Sequence, residues 1–215
     1  MGIGIISMKQ TYLLKMKNIP NFLTTFRIVI IPILIMSFYI NGMVAHVVAA
    51  TLFAVAAITD YFDGYFARML KVQSKFGKCL DPIADKLLVI VAIIMLINFN
   101  GHNLWILIPG LIIICREVLV SGLREFLAEL NVSVPVSTLA KYKTAVQMVS
   151  ITGLLLGEKG FDYTFYYLIG NWIDMDIKFL LWYLVVYLSK MLFCFAACLT
   201  VITGYAYFRV GLKNM

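Results

Sequence analysis

The sequence predicts an all-α integral membrane protein, a bundle of six transmembrane helices. Of its 215 residues, 62% are hydrophobic and only 13% are charged, whereas soluble domains carry about 25% charged residues. Runs without Lys, Arg, Asp or Glu cover residues 28–59, 87–115 and 191–208. Each run is long enough for a membrane helix, which needs roughly 17–25 apolar residues. This composition excludes an ordinary soluble domain.

Chain breakers divide the apolar sequence into the six predicted helices. The first, residues 22–40, ends at an Asn-Gly pair, and a short basic segment joins the second, 44–70, to the third, 78–99. Because that connection is short, these two helices must be antiparallel neighbours. Polar residues 98–103 precede the fourth helix, 104–130. The fifth, 138–156, ends at a glycine-containing break at 157–160, and the sixth covers 179–208.

Basic residues indicate the orientation of the bundle. With a cytoplasmic N-terminus, the outer connections hold only Lys159 and Lys178, whereas the inner side holds most other cations. We therefore expect a protein of the cytoplasmic (inner) membrane, with both termini on the cytoplasmic side. The net charge is +7. Cations at segment ends favour membrane lipids and phosphate-bearing ligands as partners, and no nucleic acid is expected.

The chain is predicted to hold one membrane domain, residues 18–215, after an N-terminal extension at 1–17. Two interpretations of the extension stay open. It forms a short interfacial amphipathic helix, or the natural start is Met16 (or Met8) rather than Met1.

Acidic side chains mark the second and third predicted helices. An Asp at the centre of a membrane helix costs about 2.5–3.5 kcal/mol on insertion scales, so several together need a compensating cation. At about 100° per residue, Asp60 and Asp63 share one helix face, and Asp81 and Asp85 share a face of the next helix. Carboxylates from two helices make an all-oxygen site, which suits Mg²⁺ or Mn²⁺ rather than zinc.

A longer pattern includes these aspartates. It reads Asp60-x-x-Asp63-Gly64-x-x-Ala67-Arg68 and then, after eight residues, Gly77-x-x-x-Asp81-x-x-x-Asp85. At every defined position it is similar to the signature of the CDP-alcohol phosphotransferase family. The resemblance implies a six-helix membrane enzyme, usually a homodimer, that uses divalent metal. Such an enzyme transfers a phosphatidyl group from a CDP-linked lipid to an alcohol and releases CMP.

The resemblance also implies roles for individual residues. Asp85 is the implied general base, or a ligand shared with the metal, and two ions of Mg²⁺ or Mn²⁺ are implied. The implied metal ligands are Asp60, Asp63, Asp81 and Asp85. The implied CDP-binding positions are Asp60, Gly64, Arg68 and Gly77.

A second polar group lies on the fourth and fifth predicted helices. Converging cations there suit a second anion, such as an acceptor alcohol that carries its own phosphate. Membrane anchoring by positive charge is the alternative interpretation of most of these residues. The predicted acceptor-phosphate group is Arg116, Arg124, Lys141 and Lys143.

Three further stretches refine the resemblance: residues 18–27, residues 80–86, and residues 116–128 together with 141–144. They are similar to family members that take CDP-diacylglycerol as donor and glycerol 3-phosphate as acceptor. A CDP-alcohol-type cardiolipin synthase, with phosphatidylglycerol as acceptor, is the first alternative. A divalent-cation transporter is the second, but the sequence shows no second half related to the first, as many transporters do.

Overall fold

The computed structural model describes residues 25–40, 42–70, 75–100, 103–130, 132, 138–164 and 175–213. In these residues the chain forms six α-helices and one short 3₁₀-helix, Ser37–Tyr39, and no strand. The helices are α1 (Thr25–Met36), α2 (Met43–Leu70), α3 (Lys75–Phe99), α4 (Leu104–Glu129), α5 (Thr138–Thr164) and α6 (Met175–Lys213). The predicted N-terminal extension, 1–17, lies outside the described residues.

The all-α membrane class agrees with the lengths and composition of the helices. Three of those described are long and apolar enough to cross a membrane, over Pro82–Phe99, Leu104–Glu129 and Leu180–Arg209. Helices α1 and α2 contain shorter apolar stretches, Thr25–Met36 and Val44–Asp60. The prediction of helices in six places is therefore confirmed, while six membrane crossings stay a prediction.

The interior of the bundle combines two large rings with many small side chains. Helix α5 packs against α2 and α6, and α4 packs against α6 and α3. Phe53 and Phe193 are fully buried in this core. Small residues let membrane helices approach closely, and the buried alanines include Ala49, Ala50, Ala56, Ala92, Ala196 and Ala197.

The outer surface of the bundle is apolar. Trp105, Leu119 and Met191 are between 67% and 72% exposed, and many other large apolar side chains also face outwards. A soluble monomer rarely exposes so much contiguous apolar surface. Hydrocarbon is the solvent that such an exterior fits, which agrees with a membrane protein.

Two predicted chain breaks are confirmed. Asn103 caps the start of α4, where its side chain accepts a hydrogen bond from the Trp105 backbone N–H at 3.0 Å. Gly157 interrupts α5 with φ 54° and ψ −165°, a conformation open essentially only to glycine. Beyond this kink, α5 continues to Thr164.

The predicted sixth membrane helix, 179–208, agrees with the apolar stretch Leu180–Arg209. The whole of helix α6 runs over Met175–Lys213, beyond that stretch at both ends. The residues added at its ends include charged ones, such as Asp176 and Lys213. Apolar sequence marks the part of a helix that suits hydrocarbon, and polar residues outside that part remain compatible with helical backbone.

Candidate active site

Three helices meet at the side chain of Arg27. Its Nη1 atom on α1 donates to Oδ1 of Asp60 on α2 at 2.7 Å, and also to Oδ1 of Asp85 on α3. The arginine side chain is 1% exposed, whereas the two carboxylates are 34% and 40% exposed. The structure therefore brings Asp60 and Asp85 together around one cation, on helix faces that the sequence predicts to converge.

Burial explains why Arg27 needs these partners. A guanidinium removed from water is stable only when carboxylates or other acceptors satisfy it. The two aspartates in turn sit at the ends of apolar stretches, where an uncompensated carboxylate is costly. The Arg27 cation thus stabilises both carboxylates and offsets their mutual repulsion, and the junction fixes α1 against α2 and α3.

The chemistry of this junction fits a divalent cation. The donors are carboxylate oxygens from two helices, the ligand type that Mg²⁺ and Mn²⁺ prefer. A carboxylate offers about four acceptor sites, which makes bonds from Arg27 compatible with further ligands.

For the other residues of the acidic pattern, the structure describes the helical backbone but not the side chains. Helix α2 includes positions 63, 64 and 68, and α3 includes positions 77 and 81. The side chains of these residues lie outside the described part of the chain. Within the described part, no group of three or more His, Cys, Asp or Glu side chains comes together. The metal-binding and CDP-binding roles assigned to several residues therefore stay predictions from the sequence. These residues are Asp63, Gly64, Arg68, Gly77 and Asp81.

We call the group formed by Arg27, Asp60 and Asp85 the acidic junction. A contact between Lys86 and Ser121 links it to α4. Lys86 follows Asp85 on α3, and its Nζ atom donates to the Ser121 hydroxyl. Both side chains are partly buried. This bond connects the helix that carries Asp85 to the helix that carries the predicted acceptor arginines, so the two polar groups belong to one continuous region.

Glu117 joins two of the predicted acceptor cations. Its Oε1 accepts from Nζ of Lys143, which is buried on α5, and lies 3.6 Å from Nη1 of Arg116. Arg116 also donates from Nη2 to the Thr203 hydroxyl on α6 at 2.9 Å. The network therefore ties α4 to α5 and α6.

Arg124 extends the basic group, whereas Lys141 does not. Arg124 donates from Nη2 to the Tyr207 hydroxyl at 2.9 Å. Lys141 is exposed, while Lys143 is 3% exposed. Residues two positions apart on a helix are separated by about 200° of rotation about its axis. Lys141 and Lys143 therefore point to opposite sides of α5. Arg116, Arg124 and Lys143 are brought into one network, and Lys141 lies apart from it.

Comparison with known proteins identifies the family. The family model described as CDP-alcohol phosphatidyltransferase matches residues 17–202, most of the chain. The chain belongs to the CDP-alcohol phosphatidyltransferase family. It is accordingly an enzyme of phospholipid synthesis, and the signature at 60–85 lies inside the matched segment.

Similar family members carry a specific activity in their names. A protein of Rickettsia bellii is 49% identical over 92% of this chain and 97% of its own length. A protein of Rickettsia felis is 47% identical with the same coverage. A protein of Pseudomonas fluorescens is 45% identical over 71% of this chain and 78% of its own length. All three are named CDP-diacylglycerol–glycerol-3-phosphate 3-phosphatidyltransferase.

Three side chains that the fold brings to the site were not predicted from the sequence: Arg27, Thr203 and Tyr207. Arg27 belongs to a stretch that resembles the family, but nothing in its local pattern shows that it contacts Asp60 and Asp85. Thr203 and Tyr207 received no role. Their signal is weak: two hydrogen-bonding side chains four residues apart on a largely apolar helix that also carries Ser189, Thr200 and Tyr205. Only the packing of α6 against α4 shows what they contact.

Proposed function

We propose that this chain transfers the phosphatidyl group of CDP-diacylglycerol to glycerol 3-phosphate, giving phosphatidylglycerophosphate and CMP. The observation that carries the proposal is the activity in the names of the two Rickettsia relatives, which align with 92% of this chain. The names favour this reaction over cardiolipin synthesis. Family membership also disfavours cation transport.

The donor side of the proposed site is the acidic junction. A divalent cation held by its carboxylates would supply positive charge to offset the negative charge of the donor pyrophosphate. Residues of α2 and α3 would hold it together with the cytidine nucleotide. The proposed ligands of Mg²⁺ or Mn²⁺, with two ions expected, are Asp60, Asp63, Asp81 and Asp85. The proposed CDP-binding residues are Asp60, Gly64, Arg68 and Gly77.

Asp85 is the proposed general base. It accepts the proton of the acceptor hydroxyl, whose oxygen then forms a bond to the phosphorus that carries diacylglycerol. The bond between that phosphorus and the bridging pyrophosphate oxygen breaks, and CMP leaves. The contact with Arg27 fixes the Asp85 carboxylate beside Asp60.

The acceptor side is the basic network of α4 and α5. Arg116, Arg124 and Lys143 carry three positive charges against the single carboxylate of Glu117. The resulting charge of +2 matches a phosphate dianion. Holding that phosphate keeps the acceptor hydroxyl at the reacting phosphorus, which lowers the entropic part of the barrier. The exposed Lys141 is left outside this group.

The proposed enzyme lies in the cytoplasmic membrane with six crossings, and with both termini and the active site on the cytoplasmic side. The distribution of Lys and Arg between inner and outer connections supports this orientation. A homodimer is proposed from the family resemblance. The apolar outer surface of the bundle offers area for both lipid and a second copy.

Acceptor-dependent CMP release tests the proposed function. Purified protein in mixed micelles is given CDP-diacylglycerol and Mg²⁺, with either glycerol 3-phosphate or phosphatidylglycerol. We expect CMP release with glycerol 3-phosphate and little above background with phosphatidylglycerol. The Asp85→Asn variant serves as the matched inactive control. The reverse acceptor preference would establish cardiolipin synthesis instead.

A further inference from the structure

We propose that Tyr207, assisted by Thr203, is a positioning residue that holds Arg124 and Arg116 for the phosphate of the acceptor alcohol. The inference rests on the proposed function and deepens it. It adds α6 to an acceptor site for which the sequence indicates only α4 and α5. Both residues follow the segment 17–202 that the family model matches.

Each hydroxyl on α6 accepts one hydrogen bond from an arginine on α4. The Thr203 and Tyr207 oxygens lie 2.9 Å from Nη2 of Arg116 and Nη2 of Arg124, respectively. The Thr203 hydroxyl donates its own proton to the Leu199 carbonyl at 2.8 Å. Since that proton is engaged, the Thr203 oxygen is oriented to act as an acceptor for Arg116.

The ring of Tyr207 brings the two guanidinium groups towards one place. The Cζ atoms of Arg124 and Arg116 lie 5.3 Å and 6.0 Å from its centroid. The arginines are eight residues apart on α4, or about 12 Å along the helix axis, so their side chains converge to reach one ring. A phosphate bound between the two guanidinium groups would offset their mutual repulsion and could accept charge-assisted hydrogen bonds from both.

Burial makes this arrangement stiff. Tyr207 and Thr203 are 5% and 4% exposed, so water does not compete freely for their hydroxyls. A tyrosine ring has only two rotatable side-chain bonds and loses little entropy when it is fixed. A guanidinium that hydrogen-bonds to such a ring is already oriented before the anion arrives, and preorganised charge is the more effective kind.

Gly204 makes room for the stem of Arg116. A Cβ added at this position would lie 3.1 Å from Cγ and 3.5 Å from Nε of Arg116. The first of these separations is tighter than ordinary van der Waals contact, so a residue with a Cβ would push the arginine stem away by a few tenths of an ångström. One turn of α6, residues 203–207, therefore shapes the position of both arginines.

The test compares Tyr207→Phe with Tyr205→Phe. Tyr205 lies two residues away and is 69% exposed, so its variant makes the same chemical change on the opposite face of α6. We expect Tyr207→Phe to raise the KM for glycerol 3-phosphate about tenfold or more, the effect of losing a hydrogen bond to a charged group. The KM for CDP-diacylglycerol should stay unchanged, and Tyr205→Phe should match the wild type for both substrates.

Thr203 supplies a second, independent pair of variants. Thr203→Val keeps the shape but removes the acceptor for Arg116, whereas Thr203→Ser keeps the hydroxyl. We expect a selective rise of the glycerol 3-phosphate KM in the first and wild-type kinetics in the second. On an Arg124→Ala background, Tyr207→Phe should have no additional effect, because the guanidinium that contacts the Tyr207 hydroxyl is gone.

The outcomes separate this inference from the proposed function. A wild-type protein that releases no CMP with glycerol 3-phosphate contradicts the proposed function. It also contradicts the phosphate of glycerol 3-phosphate as the anion that Arg116 and Arg124 bind. A wild type that is active while Tyr207→Phe and Thr203→Val behave like Tyr205→Phe contradicts the positioning role alone. Equal KM changes for both substrates would also contradict it, because purely structural damage has no reason to select the acceptor.

Discussion

Arg27 contacts Asp60 and Asp85 through the same nitrogen atom, so its removal leaves two neighbouring carboxylates without that cation. Breaking a fully buried ion pair costs about 3–5 kcal/mol. Because these carboxylates are 34% and 40% exposed, water screens part of the repulsion. We therefore expect Arg27→Met to lower the free energy of unfolding by about 1–3 kcal/mol in chelator.

Denaturant unfolding of the purified protein in detergent measures this loss. Arg27→Lys keeps the charge and should retain part of the stability. Arg209→Met removes an exposed cation of α6 and should change little. If Arg27→Met were as stable as Arg209→Met, the junction of α1, α2 and α3 would not depend on the arginine.

Asp85 is the second residue whose replacement is informative. Asp85→Asn keeps the size of the side chain and removes its ability to accept a proton as a base. We expect the rate to fall by about 10²-fold or more, the usual effect of losing general base catalysis, while the lipid nucleotide still binds. Loss of CDP-diacylglycerol binding in this variant would show instead that Asp85 is mainly a metal ligand.

At the scale of single residues, the sequence predicted partners only where they share a local pattern. Asp60 and Asp85 could be placed together because helical periodicity and a short connection relate their faces. Arg27 lies 58 positions from Asp85, and Tyr207 lies 83 positions from Arg124. No periodicity spans such separations, so these contacts follow only from the packing of the helices.

At the scale of the helices, the kink in α5 is the feature most open to test. Gly157 has φ 54° and ψ −165°, and a residue with a Cβ is strained there by about 1–3 kcal/mol. The kink lies beside His46, whose Nδ1 is 3.2 Å from the Leu155 carbonyl and whose ring stacks on Phe99. We expect Gly157→Ala to lower the Tm in detergent.

Gly122 supplies the matched control for that prediction. It lies inside α4, and an added Cβ there meets no other atom within 4 Å. Alanine stabilises a helix interior relative to glycine by about 0.5–1 kcal/mol, so Gly122→Ala should leave the Tm unchanged or raise it slightly. Equal effects of the two substitutions would show that the kink is not strained for other residues.

The helices themselves were predicted more closely than their ends. Apolar runs located all six, because hydrocarbon and a buried core both select apolar side chains. The apolar part of α6 was located to within a residue at each end, while charged residues such as Asp176 and Lys213 continue the helix beyond that part. The breaks at Asn103 and Gly157 were predicted correctly, because capping and positive φ need particular residue types.

At the scale of the whole molecule, divalent metal should determine activity. The proposed metal ligands would add negative charge near the membrane, and the donor pyrophosphate would add more, so cations should be needed to offset both. We expect chelator to abolish CMP release and Mg²⁺ or Mn²⁺ to restore it, whereas Ca²⁺ binds with looser geometry and supports little turnover. Full activity in excess EDTA would refute the proposed metal site.

Following the phosphate of glycerol 3-phosphate through the reaction is the sharpest test of the proposed phosphatidyl transfer. Purified protein receives CDP-diacylglycerol, Mg²⁺ and glycerol 3-phosphate labelled on its phosphorus, and both CMP and labelled lipid are measured over time. The proposed reaction predicts one labelled lipid for each CMP released, with the acceptor phosphate retained as a monoester. CMP release without label in the lipid, or a lipid product that forms equally well without glycerol 3-phosphate, would contradict the proposed transfer.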